Sequence, residues 1–171
     1  GVARARNVGD ARLRGVEASA SARLARTVTL SANYTFLDAI QVSAQPSYDG
    51  KQLPQRPRHE AYARVDVARR LAGRVAIAWA DLTWIAGSFL DQAELARVPA
   101  RRLVGAGVKA DVVAGVTASV AVENLLDARV EHVALDPAPR PDLSEVPRAV
   151  ADVAGFPLPG RAVYVAVEWR R

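Results

Sequence analysis

The side chains that most often carry out chemistry in proteins are few in this sequence of 171 residues, and they stand apart from one another. Cysteine is absent, which excludes disulfides and thiolate chemistry, and the only histidines are His59 and His132. Neither histidine lies within a cluster of carboxylates at metal-ligand spacing, and Ser19 and Ser21 have no nearby base. The sequence therefore predicts no catalytic residue, no metal site and no cofactor.

Noncovalent binding is the chemistry that remains, and two polar stretches are candidates for it. Tyr48 and Asp49 lie in one predicted loop, and Arg101 and Arg102 directly follow another. An aromatic ring and a cation suit a ligand that is anionic or carries an aryl group. These four residues are the predicted ligand contacts, and the alternative is that they are ordinary solvated loop residues.

Charge and hydropathy narrow the class of protein. The net charge is +5, but the cations are nearly all arginine and are spread along the chain without a basic, aromatic-bearing patch. This distribution favours a solvated surface over nucleic-acid binding. Half of the residues are hydrophobic, mostly Ala and Val, yet no run of about eighteen apolar residues exists, because Asp81 interrupts the best candidate. A membrane-spanning helix is therefore excluded.

Apolar and polar residues alternate along most of the chain, which is the pattern of β-strands with two different faces. From Val28 to Phe36, for example, one parity is apolar and the other holds Thr, Ser and Asn. The pattern predicts about seven strands of about nine to twelve residues, longer than the usual five or six of a soluble sheet. Tilted membrane strands need about that length.

The two predicted faces differ in charge. One is almost uncharged, with Tyr34, Phe36, Trp84 and Trp169 near strand ends, where an interfacial aromatic girdle would lie. The predicted lumen-facing residues on the other are Glu17, Arg64, Asp66, Lys109, Asp111, Glu123 and Glu168. A soluble sandwich would instead bury its apolar face against a second sheet, and alternation alone does not separate the two cases.

The connections alternate between short turns and long, polar, proline-bearing loops. The short turns are Leu24–Arg26, Ala72–Gly73 and Val113–Gly115, and the long loops are Ile40–Pro57, Ser88–Pro99 and Asp127–Pro159. Short turns at one rim and long loops at the other are typical of an outer-membrane barrel. Gly105 and Gly107 lack the other features of a phosphate loop and are predicted to mark a strand kink on the polar face.

Four stretches in chain order resemble TonB-dependent outer-membrane receptors. Their features are the Arg-x-x-Gly-Val-Glu strand start, the Leu-Pro-x-x-Pro-x-His return from a loop, the Asn-Leu-Leu-Asp strand end and the Pro-Gly-Arg start of a closing strand. They lie in Ala11–Ala39, Gly50–Val67, Ser119–Val133 and Pro159–Arg171. Within them, Asn124 to Asp127 is interpreted as a polar stop at the outer rim, where Asn and Asp satisfy backbone groups.

The resemblance implies an all-β fold: an antiparallel up-and-down transmembrane β-barrel segment of about seven C-terminal strands from a larger plugged barrel of about 22 strands. Residues 1–171 would then be the C-terminal portion of the receptor barrel, with the plug domain and N-terminal strands absent. The implied function is not enzymatic. It is the energy-dependent uptake of a scarce large solute, such as a ferric siderophore or cobalamin, across the bacterial outer membrane.

The same resemblance implies the partners. They are outer-membrane lipid, the remainder of the barrel and its plug, the TonB complex through the missing N-terminal region, and the solute, with no nucleic acid. Two alternatives remain open. One is a soluble β-barrel or sandwich that binds a small ligand, which solubility without detergent would reveal. The other is a small structural outer-membrane barrel or adhesin with an eighth strand at Val2–Val8, which the length of the full gene would reveal.

Overall fold

The computed structural model describes residues 10–129, 133–134, 149–150, 152–153, 156–157 and 160–170. Its long strands are β1 (Asp10–Ala25), β2 (Val28–Val42), β3 (His59–Leu71), β4 (Arg74–Ile85), β5 (Arg101–Val113), β6 (Val116–Glu123) and β7 (Ala162–Trp169). They pair antiparallel in chain order as one seven-stranded sheet. The all-β, up-and-down architecture predicted from the alternation is confirmed.

Two-residue strands complete the regular structure of the described residues. They are Ser88–Phe89 with Arg97–Val98, Val133–Ala134 with Ala149–Val150, and Asp152–Val153 with Phe156–Pro157. Within the described part of the chain, no helix has the length and apolar character needed to cross a membrane.

The first two strands are longer than predicted, at 16 and 15 residues. Asp10 pairs with Val42 and Arg14 with Asp38, so β2 continues through the residues expected to begin the first loop. Ile40 also forms a bridge to Gln52 on its other side. Backbone ladders do not depend on side-chain polarity, which is why the hydrophobic alternation underestimated these strands.

The turns and loops segregate to opposite rims, as predicted. The turns lie at residues 26–27, 72–73 and 114–115, and the long connections at residues 43–58, 86–100 and 124–161. Ala72 and Gly73 have φ of 50° and 80°, the pair of positive values that a two-residue type I′ hairpin requires. Most of the predicted Asp127–Pro159 loop lies outside the described residues, as do His132 and Val2–Val8.

One face of this sheet has no covering layer among the described residues. Large apolar side chains on its interior strands are exposed, with Val108 at 45% and Leu82 at 42%. The buried apolar residues of the described chain are only Ala39, Ala96 and Val98, which lie at the loop-bearing rim. The strands β1 and β7 are the edges of the sheet, which does not close within the described residues. A sandwich that buried its apolar face against a second sheet would not have this arrangement.

Candidate functional site

The strand register sorts the alternating residues into two continuous faces. One row crosses all seven strands with no polar residue, through Ala22, Leu30, Val65, Ala80, Ala106, Val122 and Val163. An adjacent row on the opposite side runs through Arg23, Thr29, Asp66, Trp79, Gly107, Ala121 and Tyr164. These sides are called the apolar face and the polar face below.

All the predicted lumen-facing residues share the polar face. Register places Glu17, Arg64, Asp66, Lys109, Asp111, Glu123 and Glu168 on it. Glu17 is the member of this set that lies on the edge strand β1. Most of the others fall into two groups at different heights along the strands. Lumen exposure itself remains a prediction.

The first group lies at mid-strand around Arg64. Its guanidinium donates to the carboxylate of Asp66, with nitrogen–oxygen distances of 2.8 to 3.0 Å. The central carbon (Cζ) of this guanidinium group lies 5.0 Å from the centre of the Trp79 ring, in cation–π range. Residues two apart on one strand point to the same side, so β3 presents both members of this ion pair to the polar face.

Gly105 and Gly107 make room for two side chains from the neighbouring strand. A Cβ atom at Gly107 would lie 2.2 Å from the Trp79 ring, and one at Gly105 would lie 2.8 Å from both carboxylate oxygens of Asp81. The ladder between β4 and β5 runs through both glycines without a register shift. Their place on the polar face is as predicted, and the strand kink stays a prediction. The missing Cβ atoms leave the space that the Trp79 and Asp81 side chains occupy beside β5.

An open cavity of about 610 Å³ lies beside this group on the same side of the sheet. Its lining includes Arg64, Trp79, Asp81, Arg101 and Glu123. Cations, carboxylates and an indole therefore surround one space, which suits a polar ligand with an aromatic part. Trp79 and Asp81 were missed as site residues, although their spacing of two residues on a strand was a usable signal.

The second group lies near the short turns. Lys109 Nζ donates to both carboxylate oxygens of Glu168 at 3.1 Å, spanning from β5 to β7 across the intervening strand β6. Thr117 donates to Asp111 at 2.9 Å, and Arg170 lies 3.7 Å from Glu168. The Lys109 and Glu168 side chains are 40% and 50% exposed, so the pair is solvated and adds little stability.

The four predicted ligand contacts are not brought together. Arg101 pairs with Ile85 on the polar side and lines the cavity, whereas Arg102 pairs with Trp84 on the apolar side. Asp49 accepts a hydrogen bond from the Ser43 amide at 3.1 Å and so helps to shape its own loop. Tyr48 is half-buried in the same loop. Adjacent residues on a strand face opposite ways, which separates the two arginines.

The first two long loops pack together over the polar side of β2, which the sequence did not reveal. The Gln41 side chain donates to the carbonyl of Gln52 at 3.2 Å and to that of Gln92 at 2.9 Å, so it joins β2 to both loops. Glu94 accepts from the Gln52 amide at 2.7 Å and lies 3.4 Å from Lys51 Nζ. Since Gln41 is on the polar face, these loops lean over that face.

A buried carboxylate shapes the second of these loops. Asp91 accepts hydrogen bonds from the amides of Ala93, Leu95 and Ala96 at 3.0, 2.9 and 2.6 Å. Three backbone donors satisfy a charge that would otherwise be costly to bury. The Asp91 side chain therefore organises the backbone of its own loop.

The Asn-Leu-Leu-Asp segment closes the base of the last loop. Asn124 and Asp127 adopt positive φ of 48° and 53°, which Asn and Asp tolerate better than most residues. The Asn124 side chain accepts from the amide and donates to the carbonyl of Ala128, at 2.8 and 3.0 Å. Asp127 accepts from the Arg161 amide at 2.9 Å, just before β7 begins. Asn124 and Asp127 therefore satisfy backbone groups where β6 ends, as predicted, and the position of this segment at an outer rim stays a prediction.

The apolar face carries an uncharged band bounded by charges. In β2 it runs from Val28 to Phe36, with Arg26 in the turn below and Asp38 above. A strand of that length, tilted by about 40°, gives a band about 20–23 Å high, close to the ~25 Å expected of a membrane barrel.

Aromatic rings gather at the loop-bearing end of this band. The His59 ring lies 5.3 to 6.3 Å from the ring centres of Phe36, Tyr34 and Trp84, and the Tyr34 hydroxyl is 2.8 Å from His59 Nδ1. These four residues form the aromatic cluster. Its position agrees with the predicted interfacial girdle.

Comparison with known proteins identifies a protein family that the chain matches. Residues 1–125 match the family model described as TonB dependent receptor-like, beta-barrel. A comparison with curated protein sequences found no significant match.

Solved structures share the fold at low sequence identity. The ferric yersiniabactin uptake receptor FyuA from Yersinia pestis is 19% identical with a TM-score of 0.77, over 95% of this chain and 24% of that protein. From Acinetobacter baumannii, the siderophore receptor PiuA is 22% identical (TM-score 0.68, 95% and 22% coverage) and the ferric preacinetobactin receptor BauA 17% (0.68, 94% and 22%). The chain thus spans about a quarter of their length.

Proposed function

This chain belongs to the TonB-dependent receptor β-barrel family, whose members are bacterial outer-membrane proteins, and we propose that it is the C-terminal barrel wall of a siderophore uptake receptor. The observation that supports this most directly is the pairing of two unlike faces. An uncovered apolar band of about membrane height lies on one side, and solvated charges lie on the other. A wall between lipid and a wet lumen needs both faces.

Transport in this proposal involves no covalent chemistry by the chain. The apolar face contacts lipid, the polar face lines the lumen, and the loops at residues 43–58 and 86–100 lean over the mouth. The cavity beside Trp79 and Arg64 receives the solute or the plug, and the solvated Lys109–Glu168 pair contacts a plug that must later move. Exposed ion pairs suit that role because each exchanges partners at a cost of about 0–1 kcal/mol.

A ferric siderophore is the proposed solute class, with cobalamin as the alternative. The three structural relatives named above are described as a siderophore receptor and as receptors for ferric yersiniabactin and ferric preacinetobactin. Arg101 on the cavity wall and Tyr48 in the first loop supply a cation and an aromatic ring, which suit an anionic or aryl-bearing iron chelate. The plug, the rest of the barrel and the TonB complex are the proposed protein partners, all outside this chain.

The test is uptake by the full receptor that carries this segment, in bacteria deprived of their own siderophore receptors. Labelled ferric siderophores of several chemical types and labelled cobalamin would be supplied with and without TonB. We expect TonB-dependent accumulation of at least one ferric siderophore. Accumulation of cobalamin alone would correct the solute class, and accumulation without TonB would contradict the proposal.

Two adjacent arginines provide a matched pair of variants. Arg101→Ser removes a cation from the cavity wall, whereas Arg102→Ser removes one from the opposite face of the same strand. We expect weaker solute binding in the first and unchanged binding in the second. Equal effects would remove Arg101 from the solute site.

A further inference from the structure

A cluster of arginines lies at the end of the apolar face, at the loop-bearing rim. Arg14 and Arg58 approach the two carboxylate oxygens of Asp38 at 3.2 and 3.7 Å. Arg12 lies two residues from Arg14 on the same side of β1 and is exposed. Asp38 lies between Arg14 and Arg58, and these three residues with Arg12 are called the arginine cluster. The three arginines exceed Asp38 by two charges, and Asp10, two residues beyond Arg12 on the same side of β1, lowers the local excess to about one positive charge.

The guanidinium groups are exposed and have N–H donors available for a further acceptor. The Asp38 side chain is 23% exposed, whereas those of Arg14 and Arg58 are 65% and 49% exposed. The carboxylate therefore lies beneath the guanidinium groups and holds them in place. Each guanidinium has five N–H donors, so a single contact with Asp38 leaves most of them available for another acceptor.

The depth of the cluster identifies that acceptor. Asp38 follows Phe36 of the aromatic cluster by two residues, a step of ~6.6 Å along the strand and about 5 Å in height for a tilted strand. Aromatic girdles mark the membrane–water boundary, and the polar headgroup layer extends about 5–8 Å beyond the hydrocarbon. The cluster thus stands at headgroup height, where lipid phosphate is the main anion.

We propose that the arginine cluster binds the phosphate groups of a phosphorylated outer-leaflet lipid. The planar guanidinium fork matches phosphate oxygens in geometry, and basic residues beside a membrane attract anionic headgroups. Asp38 sets the spacing of Arg14 and Arg58 and also competes with the phosphate for them. This inference rests on the proposed function, because it requires the apolar face to contact lipid and the long loops to lie outside.

The test uses the full receptor purified in detergent and native mass spectrometry. The probes are diphosphorylated lipid A, the same lipid with both phosphates removed, and inorganic phosphate as a competitor. We expect lipid A to be retained and its dephosphorylated form to be retained poorly. The double variant Arg14→Ser/Arg58→Ser should lower lipid A affinity by about tenfold or more, since charge-assisted hydrogen bonds are lost.

Two further variants separate a binding role from a structural one. Asp38→Asn removes the competing charge and should raise lipid A affinity, whereas a cluster that only holds strands together would show no gain. Arg69→Ser changes a single arginine on the same face at the turn-bearing rim, where it donates to Thr27, and should have no effect.

Every other outcome overturns the inference. Equal retention of the two lipids, or full retention by the double variant, removes the phosphate site while leaving the proposed function intact. Displacement of lipid A by millimolar inorganic phosphate would make the cluster a site for free phosphate instead. A receptor that is soluble and monodisperse without detergent would overturn the proposed function itself, and the lipid site with it.

Discussion

A charge introduced on the apolar face of the strand β6 should destabilise the protein much more than a charge introduced on its polar face. Val108, Val120 and Val165 stand side by side in one row of the apolar face. Arginine at a lipid-facing position near the bilayer midplane destabilises a membrane barrel by about 2–4 kcal/mol. We expect Val120→Arg to lower the free energy of unfolding in lipid by that amount, and Ala106→Arg, Val108→Arg and Val165→Arg to do the same.

Ser119 is the matched control because it is next to Val120 in the chain, faces the opposite side and differs from it by only about 2.5 Å in depth. It lies between Lys109 and Ala166 on the polar face, close to Glu168. Repulsion by Lys109 and attraction by Glu168 are both solvated effects of about 0–1 kcal/mol and oppose each other. Ser119→Arg should therefore cost less than about 1 kcal/mol, and Ala166→Arg should behave likewise.

A denaturant titration of the full receptor folded into phospholipid vesicles measures the difference. The expected gap of about 2–3 kcal/mol between Val120→Arg and Ser119→Arg corresponds to roughly 30- to 150-fold in the folding equilibrium. Equal costs for the two sets would refute the assignment of the faces. A larger cost at Ser119 would mean that the polar face is a packed core.

Other consequences can be measured separately. The chain expressed alone, with its edge strands β1 and β7 unpaired, should aggregate or require detergent, and a sharply melting detergent-free monomer would favour a soluble protein. The double variant Glu123→Ala/Glu168→Ala should fold nearly normally and bind labelled solute in cells but transport it less, whereas failure to insert would show a structural role. Asn124→Ala removes both hydrogen bonds to Ala128, and alanine adopts positive φ less readily than asparagine, so this variant should destabilise the full receptor by about 2–3 kcal/mol. The control Leu125→Ala, at the exposed neighbouring residue, should cost less than half as much.

The faces of the sheet could be predicted from the sequence because alternation is a local property. The alternation within each strand shows which of its residues share a side, so Lys109 and Glu168 could be assigned to the same face without knowledge of their contact. The same rule places Arg101 and Arg102 on opposite faces. The sequence prediction grouped them as ligand contacts because it did not treat them as strand residues. Their position directly after a loop concealed that β5 begins at Arg101.

Features that depend on register or on loop packing could not be predicted. Trp79 lies over Gly107 only because β4 and β5 pair with one particular offset, which no single strand encodes. The contacts of Gln41 with two loops join residues far apart in the chain, and the buried Asp91 organises its loop through backbone amides. Polar residues in a loop look alike in sequence whether they are solvated or satisfied by the backbone.

The proposed function requires that Val116–Glu123 crosses a membrane with one side in lipid and the other in a wet lumen. Because the chain contains no cysteine, single cysteines can be placed at successive positions of this strand in the full receptor, after any cysteines elsewhere are replaced, and labelled with a nitroxide. Collision rates with oxygen, which concentrates in lipid, and with a water-soluble nickel chelate would then be measured in vesicles. We expect a period of two, with Ala118, Val120 and Val122 accessible to oxygen and Thr117, Ser119 and Ala121 accessible to nickel. Equal accessibility along the strand, or oxygen access at the polar positions, would contradict it.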